Sequence, residues 1–198
     1  MTYNYLIDLL KEKFNSKEKF NFLDYGGESV DFYLNFKKQF PNANYYIFNQ
    51  SEILRQIEEI KKNYYLEKLN ILFNEKEIFK INFDFVNFGS TIQYISHYYE
   101  LLKDIFKISN KYIFFSGITF YLSKNKNLIN TTIVKQINLI PKIIYCYFFN
   151  KKSFAQFFKD NNYSIIFERT NSYNVNINFD NFKPDLSEIY YMDILFKK

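Results

Sequence analysis

Short apolar runs alternate with segments of helical periodicity along most of this chain, and this alternation restricts the folds open to it. Strands are predicted at residues 20–25, 45–48, 69–73, 83–88, 112–115, 163–167 and 189–196. Helices are predicted at residues 3–14, 33–40, 53–60, 101–108 and 154–159. Such alternation is typical of a mostly parallel sheet with helices on both faces. The sequence therefore predicts a doubly wound α/β fold of seven strands, as a single domain over residues 1–198.

Composition narrows the classes of function. The 198 residues carry a formal net charge of +5, but Lys and Arg are interleaved with Asp and Glu, so we expect no nucleic-acid partner. The single cysteine, Cys146, cannot form an internal disulfide, and the sequence shows no Cys/His cluster for a metal. No apolar stretch approaches the roughly 18 residues of a membrane span. The first 14 residues do not resemble a signal peptide, so we expect a cytoplasmic protein.

The strongest local motif is Phe22-Leu23-Asp24-Tyr25-Gly26-Gly27, an apolar strand that runs into two glycines and then a helix. Glycine permits positive φ and a close approach of a ligand to the backbone. In doubly wound sheets, ligands bind beyond the carboxyl ends of the strands. The motif therefore predicts a ligand site around this turn, although a simple strand–turn–helix junction would have the same sequence.

A dinucleotide is disfavoured as the ligand of this turn. The phosphate-binding fingerprint needs three spaced glycines. After Gly27 the next glycine is Gly89, so the glycines that cradle a pyrophosphate are missing. A nicotinamide-dependent oxidoreductase is therefore an unfavoured alternative.

Three segments, in their order and spacing, resemble class I S-adenosylmethionine (SAM)-dependent methyltransferases: residues 23–27, 44–49 and 83–95. The similarity is greatest to a small bacterial branch associated with surface-polysaccharide biosynthesis. In that branch a segment like residues 89–95 follows the fourth strand, and a later segment resembles residues 134–154 here. The resemblance extends over residues 20–170 and implies a Rossmann-like methyltransferase fold.

The resemblance also implies SAM as cofactor and S-adenosylhomocysteine (SAH) as product. The residues it implies for cofactor binding are Asp24, Gly26 and Gly27 at the methionine end, Asn49 near the ribose with Gln50 next to it, Phe88, Gly89 and Ser90 beside the adenine and sulfonium, and Gln93 near the methyl donor or acceptor. Two positions depart from the family pattern. Val30 stands in place of a third glycine, and Asn49 stands in place of an acidic residue. Glu52, three residues later, could take over the role of that acidic residue.

Three residues are candidates for catalysis. His97 is the only histidine, and an imidazole can accept a proton near neutral pH, although a surface histidine is the alternative. The resemblance implies that Tyr94 lies near the methyl donor or the acceptor and that Gln136 orients the acceptor. Residues 118–150 would form the substrate-binding insertion. Cys146 is interpreted as a small buried apolar residue rather than a nucleophile.

We therefore expect a methyltransferase that moves a methyl group from SAM to a small molecule such as a sugar, a sugar nucleotide or another capsule precursor. In-line transfer needs neither a metal nor a covalent enzyme intermediate. The alternative is a degenerate methyltransferase-fold protein that binds or scaffolds a partner, which the departures at Val30 and Asn49 support. The sequence leaves the oligomeric state open.

Overall fold

The computed structural model describes residues 2–122, 131–139, 142–170 and 188–198. The chain divides into two compact units. The first unit comprises Met1–Gly89 and Lys103–Ile113, and the second comprises Ser90–Leu102 and Phe114–Lys198. The single domain over residues 1–198, with its insertion at 118–150, stays a prediction.

The first unit follows the predicted alternation of helices and strands. Its elements are α1 (Thr2–Lys13), β1 (Asn21–Tyr25), α2 (Val30–Gln39), β2 (Asn44–Phe48), α3 (Ser51–Asn63), β3 (Leu69–Leu72), α4 (Glu75–Ile78) and β4 (Phe83–Asn87). Helix α5 (Tyr98–Ile108) and strand β5 (Ser109–Leu122) each contribute residues to both units.

Strand β1 lies between β2 and β4 and is parallel to both, and β2 also pairs in parallel with β3. Every residue of β1 from Phe22 to Tyr25 is buried. A strand buried on both faces is typical of the interior of a parallel α/β sheet. The parallel sheet predicted for this part of the chain is confirmed.

Aromatic rings fill the core of the first unit. Phe22 is fully buried and stacks on Tyr45 of β2 and Phe85 of β4, with ring centroids 5.3 and 5.5 Å away. Phe36 of α2 packs on the same ring at 5.0 Å. Large rings contribute much buried apolar area together with specific edge and stacking contacts, so this cluster fixes α2 on the sheet.

The second unit contains a 3-10 turn (Ile92–Tyr94) together with β6 (Thr131–Leu139), β7 (Lys142–Asn150), α6 (Lys151–Asp160), β8 (Ser164–Thr170) and β9 (Glu188–Lys197). Strands β6 and β7 pair antiparallel, and strands β8 and β9 also pair antiparallel. Strand β7 pairs in parallel with β5, and β9 pairs with β5 and β8.

The described residues thus hold nine strands of mixed direction, not the seven mostly parallel strands predicted. The two additional strands, β6 and β7, lie in the segment interpreted only as an insertion. Both are rich in β-branched and aromatic residues, which favour strands. Within the described ranges, no helix is long and apolar enough to cross a membrane.

Removing the ring at the centre of the first unit should destabilise the protein strongly. We expect Phe22→Ala to lower the free energy of unfolding by about 3–5 kcal/mol, because it leaves a cavity among close-packed rings. The control is Leu34→Ala on α2. The Leu34 side chain is 48% exposed, so this variant should lose far less unfolding free energy. Urea unfolding followed by circular dichroism measures both. Equal losses would contradict the packing described.

Candidate functional site

The polar residues of the first unit gather at the carboxyl ends of its parallel strands. Asp24 lies near the end of β1, directly opposite Asn87, the last residue of β4. Tyr45 of β2 lies opposite Phe22, two residues before Asp24. Because residues two apart in a strand share a face, Asp24, Asn87 and Tyr45 all project from one face of the sheet.

The carboxylate of Asp24 is held by both neighbouring strands. The side chain is 4% exposed. Its Oδ2 accepts a hydrogen bond from the Tyr45 hydroxyl at 2.5 Å, and its Oδ1 accepts one from Asn87 Nδ2 at 2.7 Å. Burial raises the pKa of Asp24 to about 6, against the opposing effect of these two hydrogen bonds, and Glu28 raises the pKa further.

The glycine turn after β1 packs against that same carboxylate. Gly26 has a φ of +83°, and its N–H donates to the carbonyl of Phe48 at 2.7 Å. A Cβ atom on Gly27 would lie 2.5 Å from Asp24 Cγ, closer than real side chains allow. Gly26 is therefore required by backbone conformation, and Gly27 by the close approach of Asp24.

Asn49, just beyond β2, ties the end of that strand to the glycine turn. Its Nδ2 donates to the carbonyl of Gly27 at 2.9 Å, and its Oδ1 accepts from the backbone N–H of Gln50 at 2.7 Å. An amide has two N–H groups and two oxygen lone pairs. Asn49 therefore retains capacity to bond a ligand. Gln50 is exposed and precedes α3.

The segment after β4 supplies the third part of this edge. Asn87 Oδ1 accepts from the N–H of Gly89 at 3.1 Å, and Gly89 has a φ of +50°. A Cβ atom on Gly89 would meet nothing within 4 Å, so the space beside this residue is free of protein atoms. Phe88 is fully buried and packs against the ring of Tyr25, with centroids 5.1 Å apart.

Asn87 and Tyr45 are parts of this edge that were not predicted from the sequence. Asn87 had a usable signal, because it is the polar end of an otherwise apolar strand in a fold whose ligands bind at strand ends. Tyr45 had none, since it is one of 19 tyrosines and its role depends on the register between β1 and β2.

The remaining predicted site residues belong to the second unit. Ser90 Oγ donates to the carbonyl of Ser116 at 2.9 Å. Gln93 is 2% exposed, and its Nε2 donates to the carbonyl of Gly117 at 3.4 Å. Tyr94, the next residue along, is 44% exposed.

His97 is exposed and directly precedes α5. Gln136 lies in β6 with its backbone opposite Ile144, and its side chain is outside the described residues. Cys146 in β7 is 3% exposed. Burial raises the pKa of the Cys146 thiol to about 11, which keeps it protonated and unreactive at neutral pH.

A buried carboxylate that the sequence analysis missed organises part of the second unit. Asp193 of β9 is fully buried. Its Oδ1 accepts from the Ser116 hydroxyl at 3.0 Å and from the N–H of Gly117 at 2.9 Å, and its Oδ2 accepts from Arg169. A buried charge is tolerated when it is paired and hydrogen-bonded in this way. No group of three or more potential metal ligands occurs among the described residues.

Stability should depend on pH through Asp24. Because the pKa of Asp24 is higher in the folded protein than in the unfolded chain, protonation of Asp24 stabilises the folded state. This contribution to the free energy of unfolding is complete below pH 4 and is lost as the pH rises through about 6. Between pH 4 and 7.5, the wild type should therefore lose up to about 3 kcal/mol of unfolding free energy that Asp24→Asn does not lose.

Urea unfolding at several pH values measures this difference, since the other carboxyl groups are common to both proteins and cancel. The matched control is Asp31→Asn, which alters an exposed carboxylate on α2. A difference for Asp24→Asn that stays constant across this pH range would contradict the raised pKa.

No protein-family model matches the sequence, and no curated protein matches it. Solved structures do match in fold. The N-terminal domain of EvdMO1, crystallised with SAH and D-fucose, is 15% identical with a TM-score of 0.63, covering 96% of this chain and 81% of that one. Magnesium protoporphyrin IX methyltransferase from Synechocystis PCC 6803 with bound SAM is 10% identical with a TM-score of 0.64, covering 100% and 78%.

Coclaurine N-methyltransferase bound to N-methylheliamine and SAH is 14% identical with a TM-score of 0.63, covering 99% of this chain and 72% of that one. These likenesses extend over nearly all of this chain, at identities too low to carry an activity from one protein to another. The prediction of the fold class is confirmed: this chain has the Rossmann-like fold of SAM-dependent methyltransferases.

Proposed function

We propose that this protein is a SAM-dependent methyltransferase that acts on a small molecule. The observation that carries the proposal is the set of polar groups at the carboxyl edge of the first unit: Asp24, the Gly26-Gly27 turn, Asn49, and Asn87 with Gly89. This is the edge where ligands bind in doubly wound folds. Similar solved structures of this fold were crystallised with SAM or SAH.

The chemistry of this edge fits such a cofactor. SAM carries an ammonium and a sulfonium but no phosphate, which suits a turn without the three spaced glycines of a phosphate site. The carboxylate of Asp24, with Glu28 acting on it electrostatically, makes the turn favourable for a cation. Asn49 can still donate to and accept from hydroxyl groups, and the space beside Gly89 is free of protein atoms.

When bound, SAM supplies a methyl group on a positively charged sulfur, ready for attack by a nucleophile. In this proposal Asp24 and the glycine turn hold the cationic end, while Asn49 and Gln50 hold hydroxyl groups. His97 accepts the proton that the acceptor loses. Tyr94, Gln93 and Gln136 orient the acceptor. A sugar, a sugar nucleotide or another capsule precursor remains a proposed acceptor, supported only by the resemblance in sequence.

The second candidate is a degenerate methyltransferase-fold protein that serves as a binding or scaffold partner. One observation favours it: the amide of Asn49, which stands where the family has an acid, is already engaged with Gly27 and Gln50. Calorimetric titration with SAH separates the two candidates. Binding in the micromolar range supports the enzyme, and no binding at millimolar SAH contradicts it.

The affinity for SAH should rise with pH because its ammonium favours the ionised form of Asp24. With a pKa of about 6 in the free protein and a lower value in the complex, we expect affinity to increase about tenfold between pH 5 and 7. In Asp24→Asn this dependence should disappear, while Asp31→Asn should retain it. A wild-type affinity that does not change over this range would remove Asp24 from the site.

His97 should affect turnover and not cofactor binding. Loss of a general base slows reaction by 10²–10⁴-fold in general, so we expect His97→Ala to lower kcat about 100-fold with unchanged SAH affinity. The matched control is Gln156→Ala on the exposed surface of α6. SAH formation with an acceptor found by screening gives kcat, and calorimetry gives the affinity. An unchanged kcat would assign His97 to the surface alone.

A further inference from the structure

The side-chain oxygen of Gln93 is a buried hydrogen-bond acceptor that lacks a donor. Gln93 lies in the 3-10 turn Ile92–Tyr94 and is 2% exposed. Among the residues that the structure describes, its Oε1 is the buried side-chain oxygen or nitrogen with no hydrogen-bond partner. Buried polar groups in native proteins are nearly always paired, because an unpaired one forfeits its bonds with water. This position therefore requires a donor from outside the described residues.

The orientation of this amide follows from its other end. Gln93 Nε2 donates to the carbonyl of Gly117, so exchanging the amide oxygen and nitrogen would place two acceptor oxygens against each other. Gly117 is itself fixed. Its N–H donates to Asp193 at 2.9 Å, its φ is +61°, and a Cβ atom there would lie 2.8 Å from Ser90 Oγ. Oε1 is therefore held pointing away from Gly117.

Two phenols and a thiol at this turn are uncharged at neutral pH. The turn packs against β7, the strand that carries Cys146. Burial, and to a lesser extent the Cys146 thiol, raise the pKa of the Tyr94 phenol, and a side-chain hydrogen bond with Gln93 lowers this pKa. Burial, Cys146 and Tyr94 raise the pKa of the Tyr191 phenol on β9. Together with the Gln93 amide, these two phenols and the thiol suit an uncharged polar molecule better than a phosphate.

We propose that Gln93 Oε1 accepts a hydrogen bond from the O–H or N–H group of an uncharged small molecule that binds beside Tyr94. Tyr94 is 44% exposed, so a molecule that displaces its ring can enter from solvent. On the function proposed above, on which this step rests, the molecule is the methyl acceptor and the bonded group is its nucleophile. This narrows the acceptors proposed above to neutral hydroxyl or amine compounds and leaves out the sugar nucleotide.

Within that function the atoms balance as follows. A lone pair of the acceptor oxygen or nitrogen forms the new bond to the methyl carbon, and the carbon–sulfur bond breaks with its electron pair staying on sulfur, which yields SAH. An amine acceptor keeps one N–H bonded to Gln93 and loses its other proton to His97 or to water, whereas a hydroxyl acceptor gives up its bond with Gln93 as its single proton leaves. Gln93 takes no proton. It directs the hydrogen away from the attacking lone pair and is a positioning residue for the nucleophile.

The probes that test this proposal are phenol and phenyl phosphate, which share a ring but differ in charge. The full chain, labelled with ¹⁵N, is titrated with each probe, with and without saturating SAH, while the side-chain amide signal of Gln93 is followed by NMR. That signal is identified by its absence in Gln93→Met. We expect phenol to shift it saturably and phenyl phosphate to leave it unmoved. We also expect Gln93→Met to bind phenol at least tenfold more weakly.

The matched control is Gln56→Met on α3, the same replacement at an exposed position, and it should bind phenol as wild type does. A Gln93 signal that phenol does not move would overturn the proposal, as would equal phenol binding by Gln93→Met. So would a long-lived water detected at the Gln93 amide that persists at saturating phenol, because the acceptor would then be satisfied by solvent alone. Should Gln93→Met fail to fold, the wild-type titrations with the two probes still decide.

Calorimetry with SAH keeps this proposal separate from the function on which it builds. Phenol binding at Gln93 without SAH binding would remove the methyltransferase function and leave the binding role of Gln93 in place. SAH binding without phenol binding at Gln93 would leave the enzyme in place and overturn the role proposed for Gln93.

Discussion

The burial of one carboxylate, that of Asp24, determines the arrangement of the strand ends in the first unit. An ionised or protonated carboxyl group removed from water needs partners, and these come from the strands on either side: Tyr45 of β2 and Asn87 of β4. The turn that follows must then pass close to the carboxylate, which only Gly27 permits. Asn49 in turn bonds to the carbonyl of Gly27. The positions of Tyr45, Asn87 and Gly27 are therefore tied to that of Asp24, and Asn49 is tied to it through Gly27.

This arrangement is costly for an isolated protein, because two good hydrogen bonds do not offset the loss of hydration of the charged form and the pKa rises to about 6. A neutral residue at this position would avoid this loss of hydration at neutral pH. Local departures from the most stable sequence tend to occur at functional sites. A bound cation would supply the electrostatic interaction that the folded chain lacks, and this is the physical reason to connect Asp24 with the ammonium of SAM rather than with structure alone.

The sequence was sufficient for the parts of the fold that depend on local pattern. Strands β1 to β4 lie within one residue of their predicted bounds, because each is a short apolar run bounded by glycine, asparagine or a charged residue. The β6–β7 pair was missed although its strand propensity is high, because residues 131–150 were interpreted from a family resemblance instead of from their own β-branched and aromatic residues. Contacts such as that of Tyr45 with Asp24 could not be predicted, since they follow from register between strands.

In the second unit, two buried acceptors lie on either side of Gly117 and differ in one respect. Asp193, which bonds its N–H, is fully paired by Ser116, Gly117 and Arg169. Gln93, which bonds its carbonyl, retains an oxygen without a described donor. The fold supplies hydrogen-bond donors for the charged carboxylate of Asp193. We therefore expect a donor for the neutral amide oxygen of Gln93 as well. The resemblance to the methyltransferases predicts that Gln93 lies in the site. The structure independently shows that its buried Oε1 has no hydrogen-bond donor among the described residues. Together the two observations support a ligand at this position more strongly than either does alone.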